Sequence, residues 1–194
     1  ILSRFKQKTP IGNDPDLIVQ AIVGAVSKCQ QSLTDRQVGA VSVVVPGTVN
    51  AEEGKVVKAP NEAALAEFNL CEVLSSQLNL PALLENDANA AAVGEMWMGA
   101  GRGRRTIVCV MLGTGVGGGI ILAGKLWRGV DGAAGEVGHM CVEPFGGVAC
   151  TCGSRGCLEV YASATAIVRI TKEVSPRHPE STLNLGQLTA ETIY

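Results

Sequence analysis

Short β-branched runs alternating with helical stretches predict an α/β fold for this 194-residue chain. Three observations carry that prediction. "GAVSVVV" (39–45) and "ALLE" (82–85) are apolar runs of buried-strand length. Helical patterns lie before, between and after them. "TIVCVML" and "GGGIILAG" are two further strand-like runs, joined by glycines.

In chain order, "NDPDLIVQAIVGAVSKCQQSL" reads as a helix, with Asp14 able to cap it and Pro15 suited to its first turn. Leu17, Ile18, Ala21, Ile22 and Ala25 fall on one face of that helix. The run from Gly39 to Val45 is a strand, stopped by Pro46-Gly47. A second helix covers Asn69 to Leu78, the strand Ala82 to Glu85 follows, and Ala88 to Trp97 is an Ala-rich helix. "GAGRGRR" is the strongest linker signal, placing a domain boundary there, with domains 1–103 and 104–194. The glycine-joined strands come next, and Leu158 to Val174 is a helix ended by Ser175-Pro176. The sequence opens without a start residue and closes on "LTAETIY", where a Thr-capped helix begins. It is therefore expected to be an internal piece of a longer protein.

The composition is that of a globular chain, 46% hydrophobic and 18% charged, long enough to bury a core. A net charge of −2 supplies no field toward nucleic acid or anionic membrane, so neither is expected as a partner. "GRGRR" lacks interleaved aromatics and reads as a solvated turn, and His178 as a surface loop residue. No apolar run approaches the ~18 residues of a membrane span, and no signal peptide opens the sequence. With seven cysteines, an odd number in metal-like spacing, the expected location is the cytoplasm.

Three constellations carry chemistry. His139 is followed by Cys150, Cys152 and Cys157, with Gly153 and Gly156 inside the cysteine loop. Three thiolates and one imidazole suit tetrahedral zinc, and four protein ligands leave no open position, as in a structural site. Cys141 shares a strand face with His139 in this reading and competes as a ligand. The second is "LLENDANAAAVGE", where Asn86 and Asp87 stand at a strand-to-helix junction. Either residue suits an N-cap; Asp87 equally suits a carboxylate accepting a hydrogen bond from a substrate hydroxyl. The third is "LGTGVGGGIILAG". Gly113, Gly115 and Gly118 satisfy G-x-G-x-x-G, but a strand follows them where a dinucleotide fold needs a helix. A hairpin with exposed N–H groups and the Thr114 hydroxyl suits phosphate oxygens instead.

Together, "ENDANAAAVGE", "LGTGVGGGIILAGKL", "GAAGEVGHM" and "CTCGSRGCLEVYAS", with "VVVPGTVN" and "APN", resemble the ROK family (repressors, open reading frames and sugar kinases), in particular its bacterial glucokinases. The resemblance implies an actin-like ATPase (ribonuclease H-like) fold of two α/β domains, incomplete here at both termini, with sugar and ATP meeting in the cleft between them. It implies Asp87 as general base on a sugar hydroxyl, with Asn86 binding the sugar beside it. Glu136, His139 and Glu159 match the residues that hold the other hydroxyls, so His139 would serve zinc and sugar through different nitrogens. Gly113, Thr114, Gly115 and Gly117 match a phosphate loop for ATP, used with magnesium, beside a structural zinc on His139, Cys150, Cys152 and Cys157. The family's Asp-x-Gly-Gly-Thr segment and its adenine-holding segments have no counterpart in this sequence, so the chain alone is expected to be catalytically incomplete.

The implied activity is phosphorylation of a hexose, glucose first and N-acetylmannosamine second; family fructokinases usually carry a different zinc loop. The family also holds sugar-sensing repressors, in which the glycine hairpin is usually eroded; here it is intact. An interaction module stapled by zinc would leave Asp87 and the hairpin unexplained. Family members are often dimers or tetramers, so a homo-oligomer is expected.

Overall fold

A computed structural model of the chain describes residues 1–10, 12, 14–59 and 63–193. Pro60 and Asn61 of "APN", Asn13 of the first helical stretch and Tyr194 of the last lie outside the described residues. The chain divides into two compact units, Ile1–Ala90 and Ala91–Tyr194.

The first unit opens with α1 (Pro15–Gln31). Asp14 caps it by accepting the Asp16 N–H at 2.9 Å, and Pro15 occupies the first turn, where no amide is needed. The face it buries overlaps the one periodicity selects, at Ile18 and Ile22, but is turned toward Val19 and Val23 and away from Leu17. Ile18 and Val19 are buried and Ile22 and Val23 pack on the core, whereas Leu17 is 44% exposed. Apolar residues at 17, 18, 19, 21, 22 and 23 satisfy two overlapping stripes, and only packing chooses between them.

Strand β1 (Val41–Val45) pairs in parallel with β4 (Ala82–Asn86), in register Val41 with Ala82 through Val45 with Asn86. Between them come a small antiparallel pair, β2 (Thr48–Asn50) and β3 (Lys55–Lys58), and helix α2 (Leu70–Leu78), capped by Asn69 on the Glu72 N–H. At three and four residues, β2 and β3 are too short for alternation to mark them. Leu65, Leu70, Leu74, Val56 and Val19 are fully buried and form the centre of this core. Leu74→Ala should lower unfolding stability by about 2–5 kcal/mol, the transfer loss plus a cavity. Urea titration followed by circular dichroism would measure it, and a loss under about 1 kcal/mol would mean that the core re-closes around Ala.

Strand β4 runs without a linker into α3 (Asp87–Met98), which crosses from the first unit to the second. In "GRGRR", Gly101 is buried and residues 102–105 are exposed, and the Arg105 guanidinium donates to the Ala123 carbonyl. Strands β5 (Ile107–Leu112), β6 (Val116–Leu122) and β7 (Lys125–Leu126) form an antiparallel sheet in that order. Leu112 faces Val116, which leaves Gly113, Thr114 and Gly115 as the tip of the β5–β6 hairpin. A 3₁₀ turn at Val137–His139 precedes the cysteine loop.

One helix was expected from Leu158 to Val174. Two form instead, α4 (Glu159–Ala162) and α5 (Ala164–Val174). Ser163 takes an extended ψ of 160°, is buried, and caps α5 by accepting the Ala166 N–H at 3.1 Å. A serine inside an apolar helical pattern can sit either way, and here its hydroxyl serves the cap. The final described helix is α6 (Ala190–Ile193), with Thr189 Oγ1 accepting the Thr192 N–H. No helix among the described residues is long and apolar enough to cross a membrane.

Candidate active site and metal centre

Asn86 and Asp87 both stood as possible caps, and the structure divides their roles. Asn86 Oδ1 accepts the Asn89 N–H at 3.0 Å, which makes Asn86 the cap of α3. Its amide donates to the Gly47 carbonyl at 2.9 Å and to Asp87 Oδ1 at 3.1 Å. Both amide protons are thus used, and Asn86 has one lone pair left for a ligand. Asp87 Oδ1 also accepts the Ala88 N–H at 2.9 Å. Among the described residues nothing bonds to Asp87 Oδ2, and the side chain is exposed at a helix N-terminus. Behind the pair, Glu85 Oε1 accepts from the Asn86 N–H and from the buried Asn89 side chain, at 3.0 and 3.1 Å. Sequence reasoning missed Glu85 and Asn89 as supports; their four-residue spacing across the junction was the available signal.

In the second unit, the backbone draws the cysteine loop closed. Leu158 donates to Met140, Val142 to Gly156, Gly156 to Val148, and Cys150 to Ser154, so residues 140–158 fold back on themselves as a narrow ladder. Gly156, with φ of +74°, is required at the crossing: a Cβ there would collide with the Glu143 carbonyl. Tyr161 Oη accepts the Val148 N–H at 2.9 Å and ties α4 to the loop.

This folding gathers His139, Cys150, Cys152 and Cys157, whose ligand atoms lie within 4.8 Å of one another. His139 Nδ1 is 3.7 Å from Cys150 Sγ, and Cys152 Sγ is 3.7 Å from Cys157 Sγ. A tetrahedral ion with Zn–S of about 2.3 Å has S···S edges of about 3.8 Å, so the donor set fits zinc in both chemistry and size. The Ser154 backbone N–H, then the neighbouring thiols, hold the Cys152 thiol down at about 7, whereas burial pushes Cys157 up to about 12. Cys141 does not join the set. Its Sγ lies 3.7 Å from the Arg155 carbonyl, and His139 ends a 3₁₀ turn, so the two residues share no strand face.

His139 looks both ways. Its Nδ1 faces the thiols, and its Nε2 lies 3.8 Å from Glu136 Oε2. Glu159 is the other bracketing carboxylate. Its Oε2 accepts the Val116 N–H at 2.9 Å, while Oε1 lies 4.0 Å from Cys150 Sγ. One glutamate therefore touches both the cysteine cluster and the base of the glycine hairpin. That contact links positions 43 residues apart, and no local pattern announces it.

The hairpin tip has a full account of its backbone groups. The Gly113 carbonyl accepts from Ala164 N–H, the Thr114 carbonyl from Thr165 Oγ1, and the Gly115 carbonyl from Gly113 N–H, all at 2.9 Å. Among the described residues the N–H groups of Thr114 and Gly115 have no partner in the chain, nor has the Thr114 hydroxyl. The tip thus presents donors and withdraws acceptors, which is what an anion requires. Gly117 lies one step behind, in β6 opposite Met111. A Cβ on Gly115 would strike the Glu159 carboxylate. Gly115→Ala should therefore displace that side chain at little cost in stability and detach Val116 from it. The amide proton resonance of Val116 would report the loss, and an unmoved resonance would refute the contact.

The model of the ROK family matches residues 1–193. The chain belongs to the ROK family. It is 42% identical to a glucokinase of Streptomyces coelicolor over 196 aligned positions, covering 100% of this chain and 60% of that one. It is 37% identical to the xylose repressor of Bacillus subtilis over 150 positions, covering 76% of this chain and 38% of the repressor. Among solved structures, a ROK glucokinase from Streptomyces griseus, in complex with glucose and AMPPNP, superposes with a TM-score of 0.77 at 40% identity. That match covers 96% of this chain and 59% of the other. The ROK chain described here thus has the mixed α/β, actin-like fold of the family's sugar kinases. It spans about half the length of the curated relatives it matches.

Proposed function

We propose that this chain carries the sugar site, the general base and one phosphate loop of an ATP-dependent hexose kinase, with glucose as substrate and glucose 6-phosphate as product. The observation that supports it most is the hairpin tip, whose carbonyls are all engaged while the Thr114 and Gly115 N–H groups are left to an anion. A sugar sensor without phosphoryl transfer has no use for that arrangement. Similarity to glucokinases favours glucose, although relatives of repressor type show that the family uses related chains otherwise.

In this reading Asp87 Oδ2 accepts a hydrogen bond from the attacking hydroxyl. It takes the proton as the hydroxyl oxygen bonds to the γ-phosphorus and the bond to the β,γ-bridging oxygen breaks, which releases ADP. Asp87 Oδ1 stays fixed by Ala88 and Asn86, so the carboxylate cannot rotate away. Asn86, Glu136, His139 Nε2 and Glu159 hold the other hydroxyls, each of which both donates and accepts. The Gly113, Thr114, Gly115 and Gly117 loop receives phosphate oxygens. His139, Cys150, Cys152 and Cys157 would hold zinc, which supplies a rigid crosslink at the loop. No second group of three or more metal-ligating side chains gathers among the described residues, so none is assigned to magnesium, although ATP is expected to arrive with it. The reading also implies a cytoplasmic enzyme acting as a dimer or tetramer.

The test is ADP formation by the full-length protein with ATP, magnesium and a panel of glucose, N-acetylmannosamine, mannose and fructose. Turnover on glucose supports the reading, and turnover on N-acetylmannosamine alone moves the substrate. A folded, zinc-loaded protein that binds sugar without turnover would be a sugar-sensing regulator.

A further inference from the structure

The two unpartnered donors of the hairpin tip belong to two particular peptide groups. The Thr114 N–H shares its plane with the Gly113 carbonyl, and the Gly115 N–H with the Thr114 carbonyl. In a trans peptide the two groups point in opposite directions, so whatever fixes the carbonyl fixes the N–H. Both carbonyls are held by consecutive residues of α5: Ala164 through its N–H and Thr165 through its hydroxyl, each at 2.9 Å. We propose that the first turn of α5 sets the direction of the phosphate donors, with Thr165 a positioning residue for nucleotide. The inference rests on the reading of the tip as an ATP phosphate loop.

Three features support it. The break at Ser163 gives α5 its own first turn beside the hairpin; an uninterrupted helix would have spent the Ala164 N–H on its own backbone. The Thr114–Gly115 peptide is flanked by a residue without Cβ, which tolerates either sign of φ, so without its anchor this peptide is free to flip. A flip would turn the Thr114 carbonyl toward the phosphates and remove the Gly115 donor together. Finally, Thr165 and Thr114 are both exposed, so their bond adds little to global stability. Its value lies in orientation.

Two variants remove the two anchors separately. Thr165→Val deletes the hydroxyl at nearly constant shape. Ala164→Pro deletes the N–H and sets the ring Cδ against the Gly113 carbonyl, which must move away; the helix itself tolerates proline at its first position, and Ser163 already has the extended conformation that a following proline demands. In the full-length protein each should raise KM for ATP about tenfold, roughly the worth of one net hydrogen bond. KM for the sugar should stay within about twofold, and Thr165→Ser should restore the wild-type value, since it returns only the hydroxyl. The melting temperature of each variant shows that it folds. An unchanged KM for ATP in both folded variants would overturn the inference while leaving the kinase reading intact, and so would an equal rise in both KM values. A wild-type protein that binds no nucleotide would remove the phosphate-loop reading, and this inference with it.

Discussion

Asp87→Asn should reduce turnover by about 10²–10⁴-fold, the usual worth of a positioned general base, while sugar affinity changes little. The substitution is clean because the two carboxylate oxygens have separate duties. Asn keeps an Oδ1 able to accept the Ala88 N–H and the Asn86 amide proton. What changes is the other atom: Oδ2, without a partner among the described residues, becomes an amide nitrogen that donates and cannot take a proton. Fold and cap should survive, since Asn86 caps α3 and Asp87 does not. Steady-state kinetics beside sugar titration calorimetry would separate the effects. Wild-type turnover in the variant would dismiss Asp87 as the base, and loss of sugar binding alone would make it a binding residue.

In the proposed reading, loss of the zinc should be the other large effect. Cys157 is buried at 1% exposure, pairs across the ladder with Cys141, and lies 3.7 Å from Cys152. Cys157→Ser should abolish stoichiometric zinc, because a buried hydroxyl is a poor substitute for thiolate. The loop then loses the crosslink that fixes His139 Nδ1, and with it the aim of Nε2. Sugar affinity should fall by about 10–100-fold, the range seen when supports of a ligand shell are removed. Elemental analysis with sugar titration checks both halves. Full sugar affinity in a zinc-free variant would show that the ladder of backbone hydrogen bonds suffices without an ion.

Some of this was legible in the sequence, and the parts that were not share a cause. The hairpin could be read because its strands are short, β-branched apolar runs and its turn is glycine, both local signals. The gathering of His139 with three cysteines could be read because the ligands lie close along the chain and the donor chemistry is narrow. The exclusion of Cys141 could not: the strand-face argument assumed extended backbone where a 3₁₀ turn stands. The choice between Asn86 and Asp87 as cap stayed open, since both side chains can accept at a helix start, and only the Asn89 contact decides it. The break at Ser163 was hidden within an apolar periodicity that continues on both sides. The two residues after the break, Ala164 and Thr165, donate to the Gly113 and Thr114 carbonyls, about fifty residues earlier. The Glu159 contact with Val116 is of the same kind. Local chemistry announces elements and ligands, while contacts between elements follow from packing.

The 3₁₀ turn that ends at His139 makes this segment a counting device. Three residues complete a 3₁₀ turn, so positions three apart eclipse, and Glu136 and His139 therefore project to the same side. One inserted or deleted residue between them would swing the imidazole by about 120°. It would also move Gly138, where there is no room for a Cβ beside the Val116 carbonyl, out of its seat. Any effort to diversify this site should treat the length of residues 136–139 as fixed and the substitution of nearby exposed side chains as open.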